Sequence, residues 1–289
     1  MGRLLKSFFF KLSRDLTFRI VLIIGAGLAF LMAGLYLMID AGIAELGGED
    51  IKFLTGPNML LTSFNPADNF GLAIPICLIT FICLEFSQGT IRNKIIAGHS
   101  KFKIYTTLVI SGLILAFALL FVYAGLCTLL GLAGGGFDLE KPIMTFSSTI
   151  TGGYIEASYI WQLILVAIVV YICIVSYTVF FAALFRSIGP CIPVVVIVLI
   201  MLSLGGTIIS MVGELLEDET IVNIVKFLNP LFVISGGGTV TNNVVENNVM
   251  KSYISIETGA LVATIINNLV YAGIFFAGGA IIFMKRDVK

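Results

Sequence analysis

Six long apolar stretches alternate with polar segments along the chain, and their length decides what they can be. A helix needs about 20 apolar residues to cross the ~30 Å hydrocarbon core of a bilayer, and each stretch is close to that length. We therefore predict an all-α, polytopic membrane protein with one transmembrane domain over residues 1–289. The six predicted transmembrane helices are residues 20–39, 66–84, 104–132, 159–185, 192–212 and 260–284.

Composition supports a membrane protein and excludes other classes. Hydrophobic residues make up 58% of the chain and charged residues 12%, against about 25% charged residues in soluble domains. The net charge is zero, so a nucleic-acid partner is not predicted. His99 is the only histidine, and we predict neither a metal site nor a catalytic residue. Single buried thiols are predicted for the cysteines, which are Cys77, Cys83, Cys127, Cys173 and Cys191.

The distribution of charge predicts an orientation. If the N-terminus, the segment of residues 85–103, the turn at Arg186 and the C-terminus share one side, that side holds thirteen of the seventeen basic residues but three of the seventeen acidic ones. Basic residues concentrate on the cytoplasmic side of membrane proteins. We therefore predict a multi-pass plasma-membrane protein with both termini in the cytoplasm.

Residues 3–18 precede the first span and have two faces at helical spacing. We predict an interfacial helix on the inner leaflet, apolar face toward the acyl chains and basic face toward the headgroups. The alternative is a disordered basic tail. The predicted membrane anchors are Arg3, Phe8, Lys11, Leu12 and Arg14.

Residues 214–259 form the longest predicted extracellular loop and contain a second apolar stretch, residues 221–235. Asn229-Pro230 interrupts this stretch, which is too short and too broken to span. We predict a re-entrant or interfacial helix pair there. The Gly- and Asn-rich run that starts at Gly236 is predicted to be a loop.

Inside the six spans no Asp, Glu, Lys, Arg or His lies away from the ends, which argues against a proton-coupled carrier. Polar side chains remain, and we predict that they form hydrogen bonds between helices. They are Gln162, Ser176, Thr178, Ser203, Thr207, Asn267 and Asn268.

The segment of residues 85–103, EFSQGTIRNKIIAGHSKFK, is short, basic and helical by its local signals. Thr90 is predicted to cap the start of a helix, and Gly98 to end it in a left-handed conformation. The apolar ridge of this helix consists of Ile91, Ile95 and Ile96. Because two helical turns are marginal alone, this helix must be held either by its own protein or by a groove elsewhere. The ridge could also lie on the membrane surface; the sharper hypothesis is a partner's groove.

These residues carry a family resemblance. Glu85-x-x-x-Gly89-Thr90, followed by a basic-apolar helix between the second and third predicted spans, resembles the cytoplasmic loop of ATP-binding-cassette type-2 exporter permeases. The predicted interfacial helix, the six spans and the broken Asn229-Pro230 segment resemble the same family. The residues that the resemblance assigns to ATPase coupling are Glu85, Gly89, Thr90, Ile91, Arg92, Asn93, Lys94, Ile95 and Gly98.

The resemblance implies a subunit that is not itself an enzyme. ATP and magnesium would be bound by a separate ABC ATPase subunit, two copies of which would dock on two permease subunits, identical or related. An amphipathic or apolar cargo, such as an antimicrobial or toxin peptide, would move outward. The alternatives are a passive channel or carrier, and a membrane immunity or scaffold protein without ATP coupling.

Overall fold

The computed structural model of the chain describes residues 6–8, 10, 14, 16–45, 52–64, 73–139, 154–155, 157–215, 228–231, 239–246 and 249–286. This part of the chain is nearly all helical, as predicted, with one small sheet. The helices are α1 (Leu16–Glu45), α2 (Gly56–Phe64), α3 (Ala73–Ser87), α4 (Thr90–Ile96), α5 (Lys101–Gly135), α6 (Ala157–Phe185), α7 (Ile188–Leu215) and α8 (Thr258–Lys285). The strands are β1 (Tyr154–Ile155), β2 (Thr239–Glu246) and β3 (Val249–Ile256).

Four of the described helices are long and apolar enough to cross a membrane: α1, α5, α6 and α8. The bent pair of α3 and α4 brings the number to five if the pair counts as one span. The predicted fifth span falls in α7, whose apolar part Ile188–Leu202 is shorter than a span. The chain is thus a helical, multi-pass membrane protein by length and composition, and the count of six remains a prediction.

Helix α6 is the centre of the bundle. In the apolar 18-residue stretch of α6, 72% is buried inside the protein, compared with 22% in the corresponding stretch of α1. Close helix contacts require small residues: Gly112 on α5 faces Val175 on α6, and a Cβ at Gly112 would lie 3.2 Å from the Val175 methyl group. Exposed large apolar side chains on α1 suit contact with lipid or with another membrane chain.

We name each end of the bundle after an acidic residue that lies there: Glu85, which is buried, and Asp40, which is half-buried. At the Glu85 end, α3 stops, α5 begins and α6 and α8 stop. Lys101 Nζ lies 3.2 Å from the carbonyl oxygens of Met284 and Arg286, and Arg286 Nη1 donates to Leu184 O at 2.5 Å. These bonds satisfy carbonyls that a helix C-terminus leaves without partners, so they hold three helix ends together.

At the opposite end, the Asp40 end, a short helix that the sequence reasoning missed packs on α5. The Asp40 carboxylate accepts from the backbone N–H of Phe53 at 2.5 Å and of Leu54 at 3.0 Å. Gly56 N then donates to Gly136 O at 2.9 Å as α2 begins. The signal for α2 was Gly56-Pro57, because proline suits the first turn of a helix.

The prediction of a loop over the run that starts at Gly236 is wrong for β2, which forms an antiparallel hairpin with β3. Glu246 pairs with Val249, and β1 joins the sheet in parallel beside β3, so the strand order is β1-β3-β2. β2 contains three Val and two Thr, and β3 contains one Val, two Ile and one Tyr, residues that favour extended backbone. Asn247-Asn248 between them is a two-residue hairpin signal that outweighed the polar composition.

Residues 228–231 lie between α7 and α8. Asn229 Nδ2 donates to Leu202 O on α7 at 3.0 Å, and Asn268 Nδ2 on α8 donates to Pro230 O at 2.8 Å. Asn268 is fully buried and stands ten residues into α8, about 15 Å from its start. The Asn229-Pro230 turn therefore sits well inside the bundle rather than at its edge; most of the remaining residues of 214–238 lie outside the described part.

We expect Asn268→Leu to destabilise the protein by about 1–3 kcal/mol, because Pro230 O would stay buried after losing its donor. Tyr271→Phe is the matched control, since it removes one bond, to Leu228 O at 3.0 Å, from a more exposed position. The measurement is the Tm of the purified variants in detergent, followed by circular dichroism. Equal losses for the two variants would contradict a special role for Asn268.

The prediction of hydrogen bonds between helices is not confirmed for Ser176, Thr178 or Asn268. Asn268 on α8 donates to Pro230 O in a turn and to Thr264 O of its own helix, each at 2.8 Å. Ser176 and Thr178 instead donate to carbonyls of their own helix, Ile172 O at 2.8 Å and Ile174 O at 2.6 Å. A hydroxyl four residues after a carbonyl can satisfy itself within one helix, so these two residues need no partner helix.

Candidate functional site

The candidate site is the 85–103 segment, which the structure folds as a helix, a sharp bend and a short second helix. Helix α3 ends at Ser87 and α4 begins at Thr90, with 55° between them. Gly89 at the bend has φ +66°, a left-handed conformation that L side chains rarely adopt. The next helix, α5, begins after Ser100, whose side chain accepts from Lys103 N at 3.4 Å.

The predicted ends of α4 are right at one end and wrong at the other. Gly98 has φ +85°, and His99 N donates back to Lys94 O at 3.2 Å, so the left-handed termination is confirmed. Thr90 does not cap the start, since Gly89 occupies the cap position without a side-chain bond. The Thr90 hydroxyl instead donates to Glu85, whose carbonyl oxygen is 2.7 Å and whose Oε2 is 2.8 Å away.

A buried ion pair fixes the angle between the two helices. Lys94 Nζ on α4 lies 2.7 Å from Glu85 Oε2 on α3. The Glu85 side chain is 3% exposed and that of Lys94 is 21% exposed. A carboxylate this deeply buried is stable only when it is paired and hydrogen-bonded, and Lys94 and Thr90 meet that need. Glu85 thereby ties α4 to the end of α3.

Helix α4 divides its side chains between the protein and its surface. Ile91 is fully buried and Ile95 is half-buried, so part of the predicted apolar ridge packs inside the chain's own bundle. Ile96 is 74% exposed, and Arg92 and Asn93 are exposed beside it. The helix is thus anchored on one side and presents a basic-apolar surface on the other.

The surroundings of α4 include groups from distant parts of the chain. Arg186, from the turn between α6 and α7, lies over the Phe86 ring at 5.8 Å, and Phe86 packs edge-on against Phe283 of α8 at 6.0 Å. Sequence reasoning missed these neighbours, because nothing local in the sequence shows which helix ends meet. The one available signal was charge, which placed Arg186 and Arg286 on the same side as the 85–103 segment.

Of the predicted membrane anchors, Phe8 and Arg14 are described. Phe8 is buried, with its ring 4.6 Å from that of Phe81 on α3. Arg14 lies over the ring of Phe10, which is 60% exposed. Phe8 therefore attaches the N-terminal segment to the bundle through its contact with α3. Arg3, Lys11 and Leu12 lie outside the described residues.

Comparison with known proteins adds no identification. No family model, no curated protein and no solved structure matches the chain. Within the part of the chain that the structure describes, no group of three or more His, Cys, Asp or Glu side chains could hold a metal ion. The site is thus an anchored helix with an exposed basic-apolar face, joined by an ion pair to the apolar helix α3.

Proposed function

We propose that the chain is the transmembrane permease subunit of an ATP-driven exporter, and that α4 is the element on which a separate ATPase subunit docks. The observation that carries this proposal is the asymmetry of α4. Glu85 and Lys94 fasten it to α3, Ile91 anchors it in the bundle, and its other face is exposed. An exposed basic-apolar face on a helix that is anchored in the bundle suits the docking of a partner protein.

The anchoring supports a lever mechanism. A force applied to Arg92, Asn93 and Ile96 would pass through the Lys94–Glu85 pair into α3, because that pair joins the two helices directly. Helix α3 packs on α5, α6 and α7, so its movement would change the arrangement of the bundle. ATP and magnesium would be bound by the partner, whose closure would drive the switch between inward and outward access.

The proposal also covers the membrane topology of the chain. We place the Glu85 end in the cytoplasm, both termini with it, and count six spans in the plasma membrane. The gathering of Lys94, Lys101, Arg186 and Arg286 at this end supports the placement. The deep position of the Asn229-Pro230 turn, held by Asn268, supports a re-entrant segment before the last span.

Two permease subunits, identical or related, would form the transport path with two ATPases. The exposed apolar faces of α1 and α7 suit a seam between permeases as well as lipid contact. The absence of charged side chains from the interior of the spans suits an amphipathic or apolar cargo, such as an antimicrobial or toxin peptide.

Co-purification tests the proposal. The tagged chain, purified in mild detergent from the membranes of its own cells, is expected to carry an ATP-hydrolysing subunit, identified by activity and by mass spectrometry. Arg92→Glu combined with Ile96→Asp should reduce the captured activity at least about tenfold, a loss of ~1.4 kcal/mol in docking. Lys94 is left intact because its substitution would also break the ion pair.

The matched control is Lys103→Glu combined with Lys285→Glu, which changes two exposed basic residues at the same end of the bundle. This variant should keep the ATPase. Equal capture by all variants, or no hydrolysis with any of them, would overturn the proposal. Nucleotide-free flux in liposomes would then indicate a passive channel or carrier, and external peptide binding that ignores α4 would indicate an immunity or scaffold protein.

A further inference from the structure

The small sheet has one long edge that no described strand covers. Strand β2 pairs with β3 along the whole of Thr239–Glu246, and in the described part of the chain no strand lies on its other side. We propose that this edge binds the same edge of a second copy of the chain, so that two three-stranded sheets join into one. The pairing goes beyond the proposed function, which allows an identical or a related second permease, and it does not depend on an ATPase.

Strand β2 lacks the features that protect edge strands against such pairing. The common ones are proline, lysine, a bulge and a very short strand. The sequence of β2 is TVTNNVVE, its eight residues pair with β3 in an unbroken register, and its one charged residue, Glu246, stands at the last position. A row of open N–H and C=O groups on a long, regular and nearly uncharged strand is a template for another strand.

The hairpin fixes which backbone groups of β2 face the open edge. Glu246 and Val249 are joined by a two-residue connection, so they form a hydrogen-bonded pair. Hydrogen-bonded and non-hydrogen-bonded pairs alternate along an antiparallel ladder, and the even-numbered residues of β2 therefore bond to β3. The odd-numbered residues direct their N–H and C=O groups to the open edge. These residues are Thr239, Thr241, Asn243 and Val245.

The sequence of β2 suits a second copy of itself. Two identical antiparallel strands pair about a two-fold axis, so one residue lies opposite its own copy. With Asn242 at the axis, the outward groups of the two strands meet, and Val240 lies opposite Val244, a pair of β-branched residues that favours a sheet. Glu246 then lies beyond the paired residues at each end, so the two acids are far apart and do not repel each other.

The position of the sheet agrees with a two-fold axis along the membrane normal, which two chains inserted in the same direction require. One residue connects β1 to α6, and one connects β3 to α8. Because α6 and α8 stop at the Glu85 end, the sheet lies next to the Asp40 end. The axis of an antiparallel pair is perpendicular to the sheet, so the joined sheet would lie parallel to the membrane and bridge two bundles at the end opposite α4.

A cysteine at the axis tests this register. Opposite residues of a non-hydrogen-bonded pair have Cα atoms about 4.5 Å apart, a separation that a disulfide spans. Native membranes that contain the full-length Asn242→Cys variant are oxidised with copper phenanthroline and analysed without reduction by electrophoresis and mass spectrometry. We expect a dimer linked through position 242 and reversed by dithiothreitol. The five native cysteines are free and buried, as predicted, and should remain outside the link.

Asn243→Cys is the matched control for position. In this register position 243 lies opposite 241, and its two copies are diagonal neighbours with Cα atoms about 7–8 Å apart, beyond the reach of a disulfide. This variant should give little linked dimer. Equal linkage at both positions, or no linkage at position 242, would overturn the proposal.

Thr241→Pro tests the edge without a cysteine, because it removes an outward N–H and leaves the hydrogen bonds between β2 and β3 in place. Wild-type chains that carry two different tags, produced in one cell, should be captured together through either tag. Capture should fall at least about tenfold for Thr241→Pro, since each copy loses a hydrogen bond to the other. Thr241→Val keeps the N–H group and should behave as the wild type does.

Undiminished capture with Thr241→Pro, or no joint capture of the wild-type chains, would overturn the pairing. Helix α4 lies at the opposite end of the bundle, so the Thr241 variants should bind an ATPase as the wild type does. A failed pairing of β2 edges is thereby distinguished from a failed exporter proposal.

Discussion

Lys94→Met should destabilise the protein by about 3 kcal/mol, more than the removal of its partner. The variant leaves the Glu85 carboxylate buried, 3% exposed, without the ammonium group that neutralises its charge. Breaking a buried pair in this way costs about 3–5 kcal/mol, and the lower figure applies because Lys94 itself reaches solvent. The measurement is the Tm in detergent, together with chemical unfolding followed by circular dichroism.

Glu85→Gln is the control variant for this prediction. The glutamine can still accept from Thr90, and the freed ammonium of Lys94, 21% exposed, can turn to water, so we expect a loss of about 1 kcal/mol. The double variant should resemble Glu85→Gln, since it contains no buried charge. If Glu85→Gln proved as damaging as Lys94→Met, the carboxylate would not be the group that burial makes costly.

Gly131→Ala should cost about 3 kcal/mol, because a Cβ there meets backbone rather than a movable side chain. The added carbon would lie 2.5 Å from Thr55 O, 2.8 Å from Thr55 C and 2.9 Å from Gly56 N. Overpacking usually costs about 1–3 kcal/mol, and the upper value applies because α2 would have to shift away from α5. A lower Tm is the expected measurement.

Gly125→Ala on the same helix is the control. A Cβ at Gly125 meets nothing within 4 Å, and alanine favours the helix over glycine by about 1 kcal/mol. This variant should therefore keep or slightly raise the Tm. A comparable fall in the Tm of both variants would show that the loss of stability arises within the helix and not from its contact with residues 54–56.

Local signals predicted the 85–103 segment well where the cause was local. Gly98 ends α4 because glycine adopts positive φ, and this could be predicted from the residue alone. The role of Thr90 could not, because a buried carboxylate five residues earlier competes for its hydroxyl. The partners of the segment, Arg186 and Phe283, depend on which helix ends meet, and that is a property of the whole bundle.

Apolar run length predicted the long helices but was weaker for the segments between them. The β2–β3 hairpin consists of polar and β-branched residues, and the polar ones were given too much weight. Helix α2 was missed because nine residues with Asn, Thr and Ser give little apolar signal. Its burial comes from the glycines of α5 that allow it to approach, and no pattern within α2 itself reveals them.

Hydrogen bonds from Arg286 and Lys101 link the carbonyl ends of α6 and α8, and these bonds restrict the relative motion of the helices. The start of α5 and the ends of α6 and α8, joined in this way, move as one rigid unit. Rotation of α4 must then take place at the residues that connect it to its neighbours, 88–89 before it and 97–100 after it. Movement at this end of the bundle is thus confined to the two short connections on either side of α4.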